Sequence, residues 1–269
     1  MIRLATIEWR LGQAASGICH KYAAASGMIL DHINAYPRTA RSAVRAALGL
    51  GDLPQVADVI PASPAERAGV RAGDSVLAIA GVAADTDTRS PLAAEALAMR
   101  IAALPVGQPT TITVERAGET LNLALVPERA CAARLVLKVD SRIRAFSDHH
   151  NAAITTGLVR FAQNDDEIAL VAGHELAHII RQDRSRGALA SRRAAEDAAD
   201  ALGAQIAHCA GYDAGRALDF WRRFARRDAL GWLRSPSHPS SGARRRSLEE
   251  LTGHLACPLG TEPEGQPGQ

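Results

Sequence analysis

From Ile168 to Ile180 the chain reads Ile-Ala-Leu-Val-Ala-Gly-His-Glu-Leu-Ala-His-Ile-Ile, an apolar run with two histidines and a glutamate in its middle. Asn164-Asp165-Asp166-Glu167 before it supplies a capping-box start, so a helix is predicted through about Gln182. Burying such polar groups without partners costs roughly 2 kcal/mol or more apiece. Whatever fold the chain takes must therefore give them one. At about 3.6 residues per turn His174 and His178 lie one above the other, and both imidazoles can reach one ion. Glu175 is turned by about 100° from His174, beside such an ion rather than on it. The alternative is a pair of satisfied core histidines and a surface glutamate. A second predicted helix, Ser191 to about Ala210, carries Glu196-Asp197-Ala198-Ala199-Asp200. Glu196 and Asp200 share one face; Asp197 could serve as a ligand by charge alone but points off that face, and a solvated acidic face is the alternative.

The 269 residues are 47% hydrophobic, enough for two cores. A formal charge of only +2, with basic residues scattered among acidic ones, argues against nucleic acid or anionic lipid as partner. No apolar stretch reaches the ~20 residues of a transmembrane segment, and the N-terminus lacks the features of a signal peptide. Cys19, Cys131, Cys209 and Cys257 form no C-x-x-C pair, which excludes a zinc ribbon. They allow two disulfides in any of three pairings, or four buried thiols. His20, His32, His149, His150, His208 and His254 fit no ligand pattern and read as surface or packing residues.

Residues 1–47 read as an Ala-rich helical segment. Between 48 and 128 the texture changes: Val56–Ile60 and Ser75–Ile79 look like strands, Pro91–Leu104 like a helix, and Thr110–Glu115 with Glu119–Val126 like a hairpin about Ala117-Gly118. The stretch Ser63-Pro64-Ala65-Glu66-Arg67-Ala68-Gly69-Val70-Arg71-Ala72-Gly73-Asp74 resembles the core of the PDZ domains of bacterial proteases. That resemblance implies a small β-rich domain that takes peptides, C-terminal ones among them. A peptide would lie beside a loop matched here by Leu48, Gly49 and Leu50.

His174-Glu175-Leu176-Ala177-His178, then Glu196-Asp197-Ala198-Ala199-Asp200 and Ala210-Gly211-Tyr212-Asp213, resemble the gluzincin metallopeptidases that include HtpX and the CAAX prenyl proteases, in particular their soluble, PDZ-bearing bacterial branch. The resemblance implies an α+β fold: a mainly helical zincin domain with a small sheet over 129–258, the PDZ-like domain, and a disordered tail at 259–269. It implies one zinc per chain on His174, His178 and Glu196, Glu175 as general base, and Asp200 orienting a ligand histidine. Ser237-His238-Pro239 through Arg244 resembles the family's H-P-x-x-x-x-R element, so His238 would stabilise the oxyanion and Arg244 would support its loop or the site carboxylates. Asn151 to Gly157 resembles the family's edge strand, with Ile154 and Thr155 along the substrate backbone. The implied function is hydrolysis of peptide bonds in misfolded or misassembled envelope proteins. The rival is a metal-stabilised assembly factor that works through the PDZ-like module with latent catalysis. The periplasm follows if a signal peptide has been removed, the cytoplasm otherwise.

Overall fold

The computed structural model of the protein describes residues 2–84, 90–183, 189–227 and 241–259. The fold is α+β, in two compact units: Met1–Trp9 with Tyr22–Ala130, and Arg10–Lys21 with Cys131–Gln269. Helix α1 (Ile2–Ala14) contributes to both ranges.

The first unit continues with β1 (Tyr22–Ala25), β2 (Met28–Asp31), a 3-10 turn (Ile33–Ala35), α2 (Arg41–Leu48), β3 (Gln55–Val59), α3 (Pro64–Arg67), β4 (Ser75–Ile79), β5 (Val82–Ala83), α4 (Ala93–Ala102), β6 (Thr110–Arg116) and β7 (Glu119–Leu125). β8 (Glu128–Cys131) closes it by pairing with β1. Its main sheet runs β2-β3-β4-β6-β7 with β5 folded onto β4, every pairing antiparallel. The inward side chains Val56, Val76, Ile79, Ile112, Val114 and Leu125 meet Leu97 and Ile101 of α4 in one core, with a register shift between Val76 and Ala78 bringing Val76 and Ile79 to the same face. Ser63 caps α3 with Pro64 at its first position: Ser63 Oγ accepts from the Glu66 N–H, and Glu66 Oε2 accepts from the Ala62 N–H at 2.7 Å.

The helical expectation for residues 1–47 is corrected: 22–31 form two strands. The Ala-rich composition misled. Gly27 breaks the segment at φ +81, and a methyl there would overlap Ser63, so only glycine lets the chain turn into β2 against the α3 cap. Pairing with β3 then decides the conformation of Met28, Ile29 and Leu30.

The second unit has β9 (Arg134–Lys138), β10 (Ala145–Ser147) and β11 (Asn151–Thr155), then α5 (Thr156–Phe161), α6 (Asp165–Arg181), α7 (Leu189–Cys209), α8 (Ala214–Ala217), α9 (Asp219–Arg227) and α10 (Ser241–Thr252). β11 lies in the middle of a three-stranded sheet, antiparallel to β10 and parallel to β9. Asn164 caps α6, accepting from the Glu167 N–H at 3.0 Å, and the first turn adds Asp165, Asp166 and Glu167 at the positive end of the helix dipole. Buried Asp166 and Glu167 are paired with Arg216 and Arg223 from α8 and α9. All four cysteines are paired, Cys19 with Cys131 and Cys209 with Cys257. Apart from Leu259, the expected tail at 259–269 lies outside the described residues.

Candidate metal centre

α6 and α7 approach closely because neither has a side chain at the crossing. A Cβ on Gly173 would meet Gly203 O at 2.7 Å, and one on Gly203 would meet His174 N at 2.5 Å. Glu196 and Asp200 lie two turns and one turn before Gly203 on the same face of α7. The crossing thus brings both carboxylates to the histidines of α6.

Glu196 Oε2 is 3.5 Å from His174 Nε2, Glu196 Oε1 is 3.7 Å from His178 Nε2, and the two Nε2 atoms are 3.1 Å apart. On the other side of each ring stands a further carboxylate. Asp200 Oδ1 stands 2.8 Å from His174 Nδ1, with Arg244 Nη2 3.0 Å from the same nitrogen, and His178 Nδ1 donates to Asp183 Oδ2 at 3.0 Å. With each neutral ring protonated on the Nδ1 that faces its carboxylate, the two Nε2 lone pairs point at each other. A cation resolves that repulsion, whether a proton or a metal ion. The donor set is two imidazole nitrogens and one carboxylate, and a tetrahedral zinc with ligand bonds of about 2.05 Å has edges of roughly 3.3 Å, close to the spacings found here. The donor set and its spacings fit zinc.

Asp200 is held in turn by Arg244 of α10, whose Nε donates to Oδ2 at 2.7 Å and whose Nη2 donates to Oδ1. Arg244 is buried and stacks on Trp221, its guanidinium 4.0 Å from the ring centroid. Burial alone would push Asp200 up; the Arg244 charge and the hydrogen bonds from His174 and Arg244 carry it below the ordinary carboxylate range. For His174, burial and the Arg244 charge push down, but hydrogen bonds with Asp200 and Glu196 leave it above its ordinary value. Glu175 is buried, and its Oε2 accepts from Ser147 Oγ of β10 at 2.7 Å. Asp197 is exposed. A cleft of 1020 Å³ beside His178 and Asp183 is walled by Ser147 to His150 and by the Cys19–Cys131 bridge.

Two expectations about peptide grooves are corrected. Ile154 and Thr155 sit on the central strand, with both neighbours taken; Ile154 is buried, and Thr155 Oγ1 bonds the carbonyls of Arg142 and Arg144. The edge that faces α6 is β10, because Ser147 carries the contact to Glu175. Leu48, Gly49 and Leu50 end α2, with Gly49 as its left-handed cap at φ +67, and the strand that follows, β3, is filled on both sides by β2 and β4. The edge open to strand addition at that end of the sheet is β2. His238 lies outside the described residues. Sequence reading missed Ser147 and Asp183; the only signal for Asp183 was an acidic residue five positions after His178.

Residues 119–191 match the model of peptidase family M48, and residues 55–116 match a PDZ domain. The chain joins a PDZ domain to a region that matches peptidase family M48. The M48 match takes in His174, Glu175 and His178 and stops short of Glu196, Asp200 and Arg244, so the α7 and α10 partners rest on the geometry above. Among solved structures, the HtrA3 PDZ domain bound to a phage-derived ligand is similar at 18% identity, covering 40% of this chain and 89% of that one, with a TM-score of 0.30. The HtrA-type protease AlgW with a decapeptide gives 24% identity and a TM-score of 0.31, over 40% of this chain and 30% of that one. The same protease with a tripeptide gives 27% identity and a TM-score of 0.29, over 40% and 32%. No curated protein matches the chain. Among the described residues, no helix is long and apolar enough to cross a membrane.

Proposed function

We propose that this peptidase is a zinc-dependent endopeptidase that holds one zinc through His174, His178 and Glu196. The observation that carries the reading is the convergence of those three side chains, all ligand atoms within 4.8 Å of one another, with Glu175 one residue from the first ligand. When bound, zinc supplies Lewis acidity toward a peptide carbonyl and toward the attacking water. Glu175 takes the proton of that water and returns it to the leaving amine. Ser147 fixes one carboxylate oxygen, which leaves the other for the proton transfer. Asp200, clamped by Arg244, fixes the His174 tautomer. A substrate backbone lies extended along the outer edge of β10, and a peptide at the PDZ unit adds beside β2. His238 serves as oxyanion donor on the family resemblance alone.

The substrates are misfolded or misassembled proteins of the cell envelope. Two disulfides support an oxidising compartment, where such bridges persist.

The test is Glu175→Gln against wild type in one preparation, read as zinc content, peptide binding and cleavage of unfolded proteins. Zinc content is expected to stay at one per chain while turnover falls by about 10² to 10⁴. Undiminished cleavage with the amide removes Glu175 from the mechanism. A wild type that binds peptides yet cuts no unfolded protein favours the assembly factor.

A further inference from the structure

α6 ends in a turn that has a consequence for the metal. Gln182 adopts the left-handed conformation at φ 53 and ψ 38, and the Asp183 N–H bonds back to His178 O at 3.1 Å. That six-to-one bond defines a Schellman motif, in which the second residue past the helix lies against the third residue from its end. The motif normally joins two apolar side chains there. In this chain the pair is Asp183 and His178, with Asp183 Oδ2 at 3.0 Å from Nδ1. The same oxygen accepts from Arg181 Nε at 3.2 Å, and the carboxylate is only 15% exposed. A non-glycine residue at positive φ is strained, so the sequence accepts that strain where the turn delivers a carboxylate to a ligand ring.

We propose that Asp183 is a positioning residue for the metal: the Schellman turn makes it the acceptor of the His178 Nδ1 proton and so aims Nε2 at the ion. Asp200 stands in the same relation to His174 from a different helix, 2.8 Å from its Nδ1. The inference rests on the zinc reading of the preceding subsection and adds a residue to it.

An amide in place of Asp183 removes the charge that holds the Nδ1 proton, and its NH2 can turn to donate to a bare Nδ1. The tautomer with the proton on Nε2, whose Nε2 cannot ligate, is then no longer excluded. Zinc affinity by chelator competition, the cobalt absorption spectrum and the thermal midpoint of the zinc-free protein are compared for wild type, Asp183→Asn and Gln182→Gly. Asp183→Asn is expected to weaken zinc by about 10- to 100-fold and to alter the cobalt spectrum, with the zinc-free midpoint unchanged. Gln182→Gly keeps the turn and is expected to keep the affinity. Equal zinc affinity in wild type and Asp183→Asn overturns the proposal while leaving the zinc site intact. Collapse of the zinc-free Asp183→Asn protein also overturns it, because Asp183 would then be a helix cap only. A wild type that takes up no zinc overturns both this and the reading beneath it.

Discussion

Both units bury polar side chains, but they use them differently. In the PDZ unit they serve mainly the backbone: Ser63 caps α3, His32 Nδ1 caps the 3-10 turn through the Asn34 N–H, and Asp74 accepts from the Arg71 N–H, although it also pairs with Arg116. In the peptidase unit they serve one another: Glu175 with Ser147, His178 with Asp183, and His174 with Asp200 and then Arg244. A side chain that satisfies one peptide N–H carries a local, replaceable load. A member of a buried charged chain leaves its partner uncompensated when it goes. The two units should therefore respond differently to the loss of a single polar group.

The largest effect is expected at Arg244. Replacing it with Met keeps much of the contact with Trp221 but strands the Asp200 carboxylate, whose side chain is 8% exposed beside Arg244. Arg244→Met should cost about 3 to 5 kcal/mol in denaturant unfolding of the zinc-free protein. Adding Asp200→Asn should recover most of that, since no buried charge is then unpaired, but zinc affinity should stay low because His174 has lost its charged acceptor. If the single variant unfolds like wild type, the charged chain is not what distinguishes this unit.

A smaller loss is expected at Ser63. Its side chain is fully buried, yet its acceptor role is to one N–H, that of Glu66. Ser63→Ala should cost about 1 kcal/mol, a few degrees in thermal midpoint, and leave zinc affinity and cleavage of unfolded proteins unchanged. A loss of 3 kcal/mol or more would erase the contrast with Arg244.

The same difference governs how much was legible in the sequence. His174, Glu175, His178, Glu196 and Asp200 follow a helical period, so two helix predictions brought them to common faces. Arg244 came from a motif resemblance, and its hold on Asp200 needed the packing of α10. Asp183 was hidden because it lies past the helix end, where the 3.6-residue period no longer says which side chains meet. The grooves were misread for a related reason. Strand alternation identifies β3 and β11 as strands but carries no information on neighbours, and neighbours decide which edge is open. β2 escaped because its pairing with β3 and the tight turn at Gly27, not its own composition, make it a strand.

The smallest expected effect tests whether the PDZ unit also tolerates repair of its backbone. The β6–β7 hairpin turns through Ala117 and Gly118, both at positive φ, 52° and 82°, with Arg116 paired to Glu119. Two such residues make the type I′ turn whose twist matches the strands, and the favoured sequence for it is Asn-Gly. Alanine at the first position pays for its Cβ in the left-handed region, which asparagine tolerates better by bonding its own backbone. Ala117→Asn should therefore stabilise the protein by a few tenths to about 1 kcal/mol, raising the thermal midpoint by a few degrees at most. Zinc affinity and cleavage of unfolded proteins should not change, since no side chain of the metal centre depends on that turn. A fall in the midpoint would mean that the turn holds Ala117 by contacts beyond its own dihedrals, and the PDZ unit would then be less locally built than its capping residues imply.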